Sequence, residues 1–170
     1  MNTAAPQSEA ARHSGQYATF YVADLFFGVD VLRVQEVLQF QQMTRVPRAP
    51  DTVEGLINLR GQIVIAIDMR RRLGLPPRPA DQTPMNMVVR TADGAVSLLV
   101  DEIGDVLDAD PAAYERPPHN LDPAAREIIC GIYKLPERLL LVLDAQRTAD
   151  FTALTELEAI ATQRIDKWQN

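Results

Sequence analysis

Apolar residues in this chain come in runs of at most five, Ile63-Val64-Ile65-Ala66-Ile67 and Leu139-Leu140-Leu141-Val142-Leu143 being the longest. Turn-forming residues break the sequence between such runs. Short runs rich in β-branched residues make short strands. They are too brief for a membrane-spanning helix, which needs about 20 apolar residues. The 170 residues are 46% apolar and 24% charged, enough for a buried core in one ordinary domain or two very small ones.

Along the chain, residues 1–15 are small and polar, carry no apolar signal segment and are read as a disordered leader. Residues 17–23 predict a strand, Asp24-Leu25 a tight turn and 27–30 a short returning strand. Val31, Val34 and Val37 at helical spacing predict a helical turn or two over 31–36. Pro47 and Pro50 require an extended loop, after which Asp51 is read as the cap of a short helix. Strands are predicted at 56–60 and 62–68, the second covered on both faces, then a short helix over 69–73 stopped at Gly74. Four prolines make 74–84 a linker. Beyond it, 85–91 and 95–100 flank Ala92-Asp93-Gly94 as a hairpin, Ile103 and Val106-Leu107 form a further apolar stretch, and 110–122 is a surface loop. Two more strands follow at 128–134 and 138–144. Residues 152–168 set Leu154, Leu157, Ala161, Ile165 and Trp168 at helical spacing, predicting a C-terminal helix over 150–170 that covers its own domain or binds a partner. Many short strands and little helix make small barrels or sandwiches. The similar strand content of 16–73 and 85–145 suggests two small barrels sharing a core.

The net charge is −6, unevenly spread. Residues 31–90 hold nine arginines against five acidic residues, and 91–170 hold seven basic against fifteen acidic. Such polarity suits docking on another protein and is a poor basis for binding nucleic acid. One cysteine, Cys130, excludes an internal disulfide and a thiolate zinc cluster, and His13 and His119 do not make a metal site. No phosphate-cradling glycine loop, nucleophile elbow or zinc-protease motif occurs. Cys130 lies in an apolar strand and reads as a structural thiol. His119 reads as solvated, Asp101, Glu102 and Asp105 as a solvated rim, and Arg70-Arg71-Arg72 as a solvated helix face or an anion site. The expectation is a protein that is not an enzyme, needs no cofactor or metal, and resides in the cytoplasm. A nucleotide-binding domain is the weakest alternative, resting on His119 and the arginine run.

An ordered series of segments remains: Val34-Gln35-Glu36-Val37, then Arg45-Val46-Pro47-Arg48-Ala49-Pro50, then Gly55-Leu56-Ile57-Asn58-Leu59-Arg60-Gly61-Gln62, with Val100-Asp101-Glu102-Ile103-Gly104-Asp105 and Gly131-Ile132-Tyr133-Lys134-Leu135 further on. This series resembles the CheW family of chemotaxis coupling proteins over about residues 16–148. The resemblance implies a mainly β fold of two intertwined five-stranded SH3-like barrels around a shared core, the first about 16–73 and the second about 85–145. It implies a non-catalytic adaptor joining the cytoplasmic tips of transmembrane chemoreceptors to the regulatory domain of the histidine kinase CheA, recruited to membrane-associated arrays and assembling there into rings. Membrane insertion and nucleic acid have no part in it. Chemotaxis, twitching motility and a second-messenger pathway stay open as outputs. A generic SH3-like interaction scaffold is the alternative.

By the same resemblance the receptor-facing groove holds Val34, Glu36, Gly55, Asn58, Arg60 and Gly61, with Glu36 and Arg60 forming an ion pair. That pair either touches the receptor or only fixes the turn at Gly61. Val34 is either an apolar knob for the receptor or a core residue. Gly55 and Gly61 meet a need for unusual backbone angles or close approach. Kinase contact is expected at exposed barrel edges, with no residue assigned. Ile65 and Met69 depart from the proline and leucine common in the family, and both keep the strand end apolar.

Overall fold

The structure, a computed structural model, describes residues 15–149. The expected leader, Gly15 apart, and the expected C-terminal helix lie outside the described residues. Within them the chain forms β1 (Gln16–Val22), β2 (Leu25–Asp30), β3 (Val34–Leu38), β4 (Val53–Leu59), β5 (Gln62–Asp68), α1 (Met69–Arg72), β6 (Met85–Thr91), β7 (Gly94–Val100), β8 (Glu102–Asp108), β9 (Tyr114–Glu115), α2 (Pro123–Ile128), β10 (Ile129–Lys134), β11 (Leu139–Leu143) and α3 (Ala145–Ala149). The fold is mainly β, in two sheets. A six-stranded sheet has the order β8-β1-β2-β11-β10-β9 and a five-stranded sheet β3-β6-β7-β5-β4. Strands from before and after residues 74–84 occur in both sheets, so the two intertwine: β2 pairs with β11, and β5 with β7, both in parallel.

Strand alternation sorts the side chains into three apolar bodies. On β1, Ala18, Phe20 and Val22 face the large core, as do Phe27 and Val29 on β2, Ile67 on β5, Met87 and Val89 on β6, and Leu98 and Val100 on β7. That core lies between the sheets. The opposite face of the six-stranded sheet gathers Tyr17, Phe26, Tyr133, Leu140 and Val142, and the opposite face of the five-stranded sheet gathers Ile57, Ala66 and Leu99. Each sheet therefore buries both faces, one against its partner and one within its own curl, which is the SH3-like arrangement expected of the chain.

Two helical expectations give way to strand. Asp30 accepts from the Leu32 amide at 2.9 Å and supports a single 3-10 turn over Val31–Arg33. The β-branched residues Val34 and Val37 then join the ladder with β6, where they form cross-strand pairs that a helix would forgo. After Asp51 the chain makes a turn in place of a helix, the Val53 amide donating to the Pro50 carbonyl at 2.9 Å, and β4 begins at once. β5 is covered on both faces from Val64 onward, whereas Ile63 at its start is 62% exposed. Helix α1 ends where Gly74 takes a φ of 68°. The loop 110–122 contains a 3-10 turn and the two-residue strand β9.

Candidate functional site

The β4–β5 hairpin turns on two residues, Arg60 and Gly61, with φ of 54° and 85°. Positive φ at both central residues is the type I′ turn, whose twist matches its flanking strands. Gly61 adopts it freely, and its amide donates to Asn58 Oδ1 at 3.0 Å. An arginine in that conformation costs about 1–2 kcal/mol. The turn carries Arg60 out toward β3, where its Nη2 lies 3.2 Å from Glu36 Oε2.

β3 and β4 are the two edges of the five-stranded sheet, so an ion pair between β3 and the end of β4 requires the sheet to curl. The backbone completes the closure. Past β3 the chain returns, and Thr44 and Leu56 exchange two hydrogen bonds of 2.9 and 2.8 Å. Gly55 makes this possible, because a Cβ there would sit 2.7 Å from the Thr44 carbonyl oxygen. Asn86, fully buried, donates to the Gln39 carbonyl at 3.2 Å and accepts from Ser97 at 2.9 Å, pinning the same returning segment.

Val34 points elsewhere. It sits opposite Val89 and packs on the large core, while Glu36 sits opposite Val88, so a bulge intervenes between them. A bulge shifts the side-chain alternation; here it puts Glu36 on the face opposite to that of Val34. Glu36, Gly55, Asn58, Arg60 and Gly61 thus gather at the sheet closure, and Val34 supports their strand from within. Glu36 Oε1 is buried without a hydrogen-bond partner. Two exposed apolar residues lie on the same strands, Val37 next to Glu36 in sequence but on the other face of β3, and Ile63 across the ladder from Asn58.

The acidic and basic runs require correction. Asp101 is no solvated rim: its side chain is only 4% exposed. It accepts Arg70 Nη2 at 2.7 Å, Arg78 Nε at 2.8 Å and the Ala23 amide at 2.6 Å. Burial alone would raise this carboxyl, but those hydrogen bonds outweigh it and hold Asp101 below its ordinary pKa. Arg70 also donates to the Pro76 carbonyl, tying the 74–84 segment down. Arg72 is buried and paired with Glu127 at 3.0 Å; Arg71, half exposed, reaches Glu54 at 3.0 Å. The arginine run is therefore a set of ties between the sheets, the linker and α2. Sequence offered one overlooked signal, a carboxylate directly after the apolar run that ends at Val100.

Cys130 is partly buried, and burial pushes its thiol up to about 11, so it is protonated at neutral pH. His119 is exposed. Among the described residues no cluster of three metal-ligating side chains occurs, and no helix is long and apolar enough to cross a membrane.

The model of the CheW-like domain matches residues 16–152. This chain belongs to the CheW family. The chemotaxis protein CheW of Klebsiella aerogenes is 27% identical over 146 residues, 86% of this chain and 88% of that one. Its Bacillus subtilis counterpart is 30% identical, over 77% of this chain and 84% of the relative. The crystal structure of the scaffolding protein TtCheW from Thermoanaerobacter tengcongensis superposes with a TM-score of 0.73 at 26% identity, covering 81% of this chain and 94% of that one.

Proposed function

We propose that this CheW-family chain is a non-catalytic adaptor that couples the cytoplasmic tips of chemoreceptors to the regulatory domain of the histidine kinase CheA. It works in the cytoplasm at membrane-associated receptor arrays, in chemotaxis or a related chemosensory pathway. The observation that carries the reading is the Glu36–Arg60 pair at the sheet closure. An arginine held in a strained turn, where asparagine or glycine would sit more easily, points to selection for its side chain in place of turn stability. Arg60 is 81% exposed and Glu36 17%, so the pair contributes at most about 1 kcal/mol to folding. Its value then lies in presenting an exposed guanidinium fork at the sheet closure. A receptor helix laying apolar residues on that surface would find its polar register at Arg60.

The test is binding of the full chain to two separate partners from its own organism, the CheA regulatory domain and a receptor tip. Wild type should bind both. Arg60→Ala and Glu36→Ala should stay folded, keep the kinase domain and lose most receptor affinity. A folded wild type that binds neither partner would reduce the reading to a generic SH3-like scaffold. Variants that bind the receptor as well as wild type would leave the pair with the turn alone.

A further inference from the structure

The six-stranded sheet carries a second feature, unconnected with the Glu36–Arg60 closure. Between the loop after β9, helices α2 and α3, and strand β10 lies a cleft of about 390 Å³ whose lining includes Tyr114, Arg116, Pro117, Pro118, Arg126 and Arg147. Arginines from three separate elements line it, and among the described residues no carboxylate belongs to the lining. Arg116 and Arg126 form no ion pair among the described residues. The ion pair of Arg147 is a distant one, Nε to Asp144 Oδ2 at 3.9 Å. In a chain of net charge −6 this is a local concentration of positive charge, with Asp144 beside Arg147 as its nearby carboxylate.

The walls are fixed. Gly131 has no Cβ, and one placed there would fall 2.3 Å from the Tyr114 ring, so the glycine lets that ring lie against β10. The Tyr114 hydroxyl donates to the Cys130 carbonyl at 3.1 Å. Pro117 and Pro118 restrict the opposite wall. A preformed site loses less on binding than one that must be ordered.

We infer that this cleft is a binding site for a small polyanion, a molecule bearing a diphosphate or longer phosphate chain. Guanidinium forks match phosphate oxygens in pairs of parallel hydrogen bonds, and three forks offer more donors than one monoanion can accept. The cavity volume is that of a small-molecule site. This site shares no residue with the Glu36–Arg60 closure, and the inference does not depend on the receptor reading.

The experiment is calorimetric titration of the full chain with inorganic pyrophosphate, at ionic strength held constant with sodium chloride. Saturable binding is expected, weakened about tenfold by Arg126→Gln or Arg147→Gln through loss of a charge-assisted fork. Arg126→Lys should retain part of the affinity, and Arg60→Ala all of it. Arg126 and Arg147 are exposed, so the variants should fold, and near-ultraviolet circular dichroism checks this. Absence of saturable binding up to on the order of 10 mM pyrophosphate, beyond which affinity would be negligible, would overturn the inference. So would binding that the Arg126→Gln/Arg147→Gln double variant leaves unchanged. Binding of a hexaglutamate peptide without binding of pyrophosphate would overturn it as well, by making the cleft a protein-docking surface.

Discussion

At Arg60 the backbone and the side chain want different things. The turn favours glycine or asparagine, while the ion pair with Glu36 needs a long cation. Arg60→Asn should therefore leave the unfolding free energy from urea titration unchanged or raise it by up to about 1 kcal/mol, the relieved strain less the lost pair, while receptor binding falls. A free energy lowered by more than that pair can account for would show that the arginine stabilises the turn. Gly55→Ala acts in the opposite sense. Its new Cβ would press on the Thr44 carbonyl, and the protein should lose about 1–3 kcal/mol in chemical unfolding, as overpacked sites do. Asp101 is a third case. Its folded pKa lies below the unfolded value, so its stabilising contribution is complete above about pH 4 and is lost as the pH falls through the folded value. Unfolding free energies measured between about pH 5 and pH 2 should fall less steeply for Asp101→Asn than for wild type, the variant starting about 3–5 kcal/mol lower because two arginines lose their buried partner.

Among the elements, the strands were the legible part, because period-two alternation and β-branched runs register directly in sequence. The hairpin around Gly94 and the stop at Gly74 were readable too, since positive φ selects glycine. Helices α2 and α3 were not, being one or two turns long and bearing no periodic stripe. The run 31–36 misled because valines at helical spacing also suit a strand, and the choice fell to the partner strand β6. The linker 74–84 read as a mere spacer from its prolines, yet Leu75 packs on the core and Arg78 reaches Asp101 at 2.8 Å. Arg78→Ala should free this segment. Hydrogen exchange should then be faster over its non-proline amides, with the sheet amides unchanged. Equal protection in both proteins would mean that the arginine is not what holds it.

For the molecule as a whole, strand exchange between sheets means that neither half can complete its own sheet. β1 and β2 need β8 and β11, and β3 and β5 need β6 and β7. A fragment of residues 16–73 should show no cooperative unfolding transition when made alone, and should gain one on mixing with residues 74–149 only if the halves reassemble. A cooperative transition from the isolated fragment would contradict this. Sequence alone determined the β class, the short elements and, through the Val34–Arg60 segments, the family. It also located the glycines of the closure, because a missing side chain or a left-handed turn must be written into the residue itself. Tertiary structure decided which strands share a sheet and which carboxylate each arginine meets. Those depend on pairings between residues far apart in the chain: Arg70 and Asp101 are thirty-one positions apart. Nothing in either local stretch distinguishes a buried partner from a solvated charge.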